Sequence, residues 1–313
     1  MPVLTVYHSG LKMGVAPFPQ KNTHARAKRR ECRGWTAGAS RRNTEFLQSV
    51  IPDRLDGHGW AVTLTLRDCP PTAADWQALL LSWIDRVRKM PDFLRLHWVV
   101  EWQARGVPHL HACVYLSSRQ HRCLVNFWLA LAGAYGAAAG GQHIRPVSTT
   151  VGWLRYLSKH AARGAGHYQR EQHSLPDGWQ TTGRLWGKRG HWPLAEPLKL
   201  YIDDCAFWRL RRVVRGLYKA HARAVGNPAL ILQARRYLRW PDRRSSAVRG
   251  CAAWADGGDV VDALDDILQG GGQLLAESIQ WVDPDPDMRH KDWLMLQRVL
   301  ADDPAAFTRR GRD

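Results

Sequence analysis

The chain has 313 residues, 45% of them hydrophobic and 23% charged, so it can build a packed core and is not expected to be disordered throughout. Its 45 lysines and arginines outnumber 28 aspartates and glutamates, leaving a net charge of +17, and a protein this basic is expected to meet a polyanion. No apolar run of about 18 residues is present and the N-terminus lacks a charged start followed by an apolar core, so neither a transmembrane helix nor a secretory signal is expected.

Nine lysines leave 36 arginines, whose planar forks suit phosphate. The charge is uneven. Residues 251–313 hold 13 acidic and 6 basic side chains, a net of −7, so residues 1–250 carry about +24 and should contain the polyanion site. Six cysteines, at 32, 69, 113, 123, 205 and 251, form no CxxC pair, which disfavours finger-type zinc and fits reduced thiols in a cytoplasm.

In chain order, residues 1–57 read as a basic arm; Lys21–Arg42 carries eight basic residues and one acid and suits the backbone of a nucleic acid. Patterning begins near Gly59. Trp60–Leu66 alternates and is rich in β-branched residues, which predicts a strand. Thr72 and Asp75 resemble a capping box ahead of apolar residues at helical spacing from Trp76 to Val87, with Trp76, Trp83 and Trp128 expected in the core. Phe93–Trp102 and Pro108–Leu116 read as two strands joined by a turn containing Gly106, hence an antiparallel hairpin. Residues 117–139 read as a helix, 142–147 as a short strand, and 149–163 as a helix capped by Ser148 or Thr149. Gly183–Gly187 suggests an edge strand, and 201–239 a very basic helix. The last 60 residues suggest two or three weak helices. The order predicts an α+β fold, an antiparallel sheet with helices packed on it, followed by a basic helical extension at 201–250 and an acidic tail at 251–313.

Two groups of residues carry chemistry. Glu101-x7-His109-x-His111 places two imidazoles on one face of a strand and a carboxylate across the hairpin, a three-ligand site with open positions. Tyr156, Lys159, His160 and Arg163 fall on one face of a helix, and a lysine one turn from a tyrosine can support its phenolate. Thr63 and Thr65 by themselves mark only a strand. His143, His167, His173 and His191 are further candidate ligands, and 16 tryptophans offer rings for unpaired bases.

In this order and company, these pieces resemble the HUH endonuclease superfamily, specifically rolling-circle replication initiators of phage and plasmid type. AVTLTL (Ala61–Leu66) is similar to the first family motif, EWQARGVPHLHACVYL (Glu101–Leu116) to the metal motif, and YLSK (Tyr156–Lys159) to the nucleophile motif. Gly183–Gly187 is similar to a segment of filamentous-phage initiators. The resemblance covers residues 59–190 and implies a βαββαβα endonuclease domain at 58–200. It implies Mg²⁺ or Mn²⁺ held by His109, His111 and Glu101, with Tyr156 as nucleophile assisted by Lys159. The expected substrate is single-stranded origin DNA, in the cytoplasm of a bacterial host. Two-tyrosine relatives carry a second tyrosine four residues after the first. His160 stands there, and Tyr168 follows only after a glycine break, which implies a single-tyrosine enzyme. Gly187-Lys188 is followed by Arg189 rather than Ser or Thr, so no nucleotide cofactor is expected and host helicase and polymerase are implied as partners. A single-tyrosine transposase or relaxase, or a non-catalytic basic DNA-binding regulator, are the competing readings. Tyrosine after the histidines and a long basic extension favour the initiator.

Overall fold

This computed structural model describes residues 2–15, 32–147, 181–226 and 251–275 and the single positions 153, 179, 228, 231 and 232. The chain forms two compact units. One comprises Arg26–Leu47 and Ile51–Pro193; the other Met1–Ala25, Gln48–Val50 and Leu194–Asp313. The region expected as one arm over residues 1–57 is thus shared between both units.

Within that first stretch, β1 (Pro2–Tyr7), β2 (Gly10–Val15) and α1 (Ala37–Ser49) are regular elements. The hairpin forms because Leu4, Val6, Leu11 and Met13 project to one buried side. Alternation of this kind is a strand signal that the neighbouring run of basic residues obscures.

The larger unit continues with β3 (His58–Leu64), α2 (Ala73–Arg88), β4 (Phe93–Trp102), β5 (Pro108–Leu116), α3 (Arg122–Ala132), β6 (His143–Pro146) and β7 (Trp186–Gly190). The strands make one antiparallel sheet in the order β6-β3-β5-β4-β7. The expected capping box is present: Thr72 Oγ1 accepts from the Asp75 amide at 3.2 Å, and Asp75 Oδ2 accepts from the Thr72 amide at 3.1 Å. Trp76, Leu80, Trp83, Ile84 and Val87 then recur on one buried face of α2. α3 is shorter than the 117–139 helix expected. Ser118 Oγ accepts from the Gln120 amide, holding the preceding residues in a turn, and Gly136 at φ +70° closes the far end. The edge strand falls at Trp186–Gly190, three residues beyond the segment anticipated.

The two sheet faces have different partners. Side chains at even positions of β3 (Trp60, Val62, Leu64) are buried, and His121 at the start of α3 stacks on Trp60, so the helices cover this face. Trp83 Nε1 donates to the Leu124 carbonyl (2.9 Å) and Trp128 Nε1 to that of Thr65 (3.1 Å), tying α2 to α3 and α3 to the end of β3. Trp76, Trp83 and Trp128 are fully buried, as expected. The odd-numbered face meets α1, where Phe46 stacks on His97 at 5.4 Å and Asn43 Oδ1 lies 2.8 Å from His97 Nε2.

In the smaller unit, β8 (Leu198–Tyr201) and β9 (Cys251–Ala253) flank the first hairpin in the order β8-β1-β2-β9. The expected basic helix is α4 (Asp204–Val225), capped by Asp203, which accepts from the Ala206 amide at 2.7 Å. One helix of the acidic region is described, α5 (Gly257–Gln269), capped by Asp256. Leu4, Leu11, Leu200, Phe207, Leu210, Val214, Val260, Leu264 and Ile267 belong to its buried core. No described helix is long and apolar enough to cross a membrane.

Burial, reinforced by the nearby Lys188 ammonium, holds the His97 imidazole neutral and lowers its pKa from 6.5 to about 3. The unfolded chain therefore takes up a proton at this site near pH 6.5, while the folded chain resists it until about pH 3. His97 stabilises the fold above pH 6.5, and that contribution is lost as pH falls towards 3. Denaturant unfolding of the wild type should steepen in this window by about 1.4 kcal/mol per pH unit relative to His97→Gln. Parallel acid limbs for the two proteins would contradict the assignment.

Candidate metal and nucleophile site

The β4–β5 hairpin turns through Gln103–Val107. Gly106 adopts φ +78°, and its amide donates to the Gln103 carbonyl at 2.9 Å, as does the Gln103 amide to the Val107 carbonyl. Arg105 braces the turn by donating to the carbonyls of Leu66 and Arg67 beyond β3. This tight closure fixes the register: Trp102 opposes Pro108, Glu101 opposes His109 and Val99 opposes His111. On the other side of β5, Thr63 of β3 opposes His111. Directly opposed residues share a face, so Glu101, His109, His111 and Thr63 all project to the odd-numbered face.

The donors converge. One ligand atom from each of Glu101, His109 and His111 lies within 4.8 Å of the others. His109 Nε2 is 2.7 Å from His111 Nε2, with the two rings 88° apart. His111 Nδ1 is 3.1 Å from Thr63 Oγ1. Glu101 is fully buried and His111 is 5% exposed, whereas His109 is half-buried and opens the cluster to solvent.

This donor set suits a divalent cation. Two unprotonated ring nitrogens at this separation repel unless a proton or a cation lies between them. A buried carboxylate is costly without positive charge nearby. The imidazole–imidazole–carboxylate set with an open side fits a catalytic metal rather than a closed structural one. With Thr63 Oγ1 accepting a hydrogen bond from His111 Nδ1–H, the Nε2 lone pair is directed into the cluster, the arrangement that orients a metal-binding histidine.

The same face continues through Cys113 to Tyr115. Burial pushes the Cys113 thiol far up, so it stays protonated. Trp153 lies close to Cys113. Among the described residues, Cys32, Cys69, Cys113, Cys123 and Cys205 are free thiols.

Of the residues singled out from sequence, the structure brings together Glu101, His109 and His111. His143 sits on β6 opposite Thr63, exposed and outside the three-residue cluster; His191 follows β7 and is also exposed. Tyr156, Lys159, His160, Arg163, His167, Tyr168 and His173 lie outside the described residues. Thr63, which by sequence marks only a strand, stands beside His111. Its signal is the register with His111, which needs the β3–β5 pairing to be known.

The Replication-associated protein ORF2/G2P family matches residues 59–161, which contain the hairpin and its three donors. A protein of Xylella fastidiosa strain 9a5c named for replication is 46% identical over 263 residues, covering 81% of this chain and 92% of its own. A second, from strain Temecula1, is 44% identical over 263 residues, covering 81% of this chain and 99% of its own. Replication-associated protein G2P of Pseudomonas phage Pf3 is 36% identical over 280 residues, covering 88% of this chain and 100% of its own. No solved structure matches. With such identity over nearly the full length of these relatives, the chain belongs to the replication-associated protein ORF2/G2P family.

Proposed function

We propose that this chain is a rolling-circle replication initiator of the HUH type, which nicks single-stranded origin DNA through Tyr156 and later rejoins strands. The observation that carries the reading is the convergence of Glu101, His109 and His111 on one sheet face within 4.8 Å. The names of the relatives from Xylella fastidiosa and phage Pf3 point to the same process. The observed run β3-α2-β4-β5-α3-β6 supports the HUH-type core, whose last helix would fall at 149–163. Trp153 lies close to Cys113 on the face that bears His111, and Tyr156 follows it by three residues in the chain, which favours a nucleophile arriving at this face.

His109, His111 and Glu101 would hold Mg²⁺ or Mn²⁺, with the two imidazoles favouring Mn²⁺. Such an ion supplies a Lewis acid for a non-bridging oxygen of the scissile phosphate. Tyr156 Oη forms the bond to phosphorus while the bond to the 3′-oxygen breaks, and the phenolic proton is transferred to that oxygen. The products are a 5′-phosphotyrosine and a free 3′-OH. Phosphotyrosine keeps the bond energy of the diester, so a later 3′-OH can displace Tyr156 and close a circle without ATP. Lys159 would lower the cost of the phenolate. The free 3′-OH suits extension by a host polymerase, and strand separation would fall to a host helicase. A bacterial cytoplasm is the compartment this requires.

Incubation with a labelled single-stranded origin oligonucleotide and Mn²⁺ should give a covalent adduct that disappears in Tyr156→Phe. His109→Ala with His111→Ala should abolish cleavage and leave most of the DNA binding. An adduct that survives Tyr156→Phe and vanishes when Tyr168 is changed would overturn the assignment. Thr63→Val should weaken Mn²⁺ binding to the DNA-free protein by about tenfold or more, measured by calorimetry. Unchanged affinity would remove Thr63 from the site.

A further inference from the structure

We infer that the outward face of α4, in the smaller unit, is a docking surface for duplex DNA that works independently of the metal cluster. The core-facing side of this 22-residue helix is settled by Ala206, Phe207, Leu210, Val214 and Ala222, all buried. The opposite side carries Arg212, Lys219 and Arg223, with the half-buried Arg215 on its flank. These positions recur at three- and four-residue intervals and fall within about one third of the helix circumference. The helix has no acidic residue after Asp204. Among the described residues, Arg212, Lys219 and Arg223 are bound to no carboxylate. Three neighbouring cations with no counter-charge among the described residues form a surface suited to an anion.

A second observation is independent of charge. Gly216 lies in the middle of this cationic stripe, exposed, and a Cβ built there meets nothing within 4 Å. Glycine is the least favourable helix-interior residue after proline. The fold gives no packing reason for it, since any side chain would project into open space. A bare backbone at the centre of a cationic stripe allows close approach of a large partner.

The remaining features favour a duplex over a single strand. Proteins that bind unpaired strands stack bases on exposed aromatic rings. The aromatic residues of α4 turn the other way: Trp208 and Tyr218 pack on the core, and the Tyr218 hydroxyl accepts from the Trp254 amide at 3.0 Å. What α4 presents is a cationic ridge along a helix about 33 Å long, a length that can follow the phosphates bordering a groove of B-DNA.

The test uses the full chain in EDTA, so that nicking plays no part. Fluorescence anisotropy is followed over a NaCl series with a duplex of about three helical turns and with one of its strands alone. Arg212→Gln with Arg223→Gln should weaken duplex binding about tenfold at about 0.15 M salt and make the log–log salt slope shallower by about 1.8, the value for two lost phosphate contacts. Single-strand binding should stay unchanged. Gly216→Gln, which strengthens the helix, should keep or raise the melting temperature and still weaken duplex binding about fivefold. A folded double variant with an unaltered duplex slope would overturn the inference, as would equal losses on both DNAs or a Gly216→Gln protein with native duplex affinity. Loss of nicking in Tyr156→Phe bears only on the metal-site reading, because this assay contains neither metal nor cleavage.

Discussion

Direct opposition in an antiparallel ladder brings two side chains to the same sheet face with their Cβ atoms about 5 Å apart. In this chain that geometry falls on Glu101 and His109, and everything proposed for the site depends on it. A five-residue turn with Gly106 at positive φ, braced by Arg105, leaves no freedom to slip. A shift of one residue would send the carboxylate to the opposite face, among the apolar side chains that meet α2 and α3. His111 is tied to the same register twice, once as the second residue after His109 and once through Thr63 on β3.

The surroundings keep this polar group in place. Trp83 and Trp128 lock the helices that close one side of the sheet, and Phe46 and Asn43 of α1 lie over the other side around His97. The donors occupy the end of that face away from His97, and His109 alone keeps partial access to solvent. Rigid strands at the base and one accessible imidazole at the rim form a site that can hold a cation firmly and still admit a phosphate.

Much of this was legible in the residues. β4 and β5 have the bounds that their apolar runs and the intervening turn predict, and the Thr72–Asp75 capping box was readable from spacing alone. The three donors could be grouped because a strand's two-residue period and a short turn determine which side chains meet. What escaped is tertiary in origin. β8 and β9 are only four and three residues long and exist because β1 and β2 offer them edges. α1 carries Arg41, Arg42 and Glu45 among few apolar residues, and its helical state depends on what Asn43, Phe46 and Leu47 pack against. The first hairpin was hidden by the charge of the residues that follow it. The alanine-rich stretch around α3 favours a longer helix than Arg122–Ala132, and the glycines that follow end it.

The proposed chemistry requires that three side chains on two paired strands share one divalent ion. The most direct measurement is anomalous scattering from crystals of the full chain grown with Mn²⁺. A peak is expected within about 2.3 Å of a ring nitrogen of His109, a ring nitrogen of His111 and a carboxylate oxygen of Glu101. A peak that omits any one of the three, or a cluster left without one at saturating Mn²⁺, would contradict it.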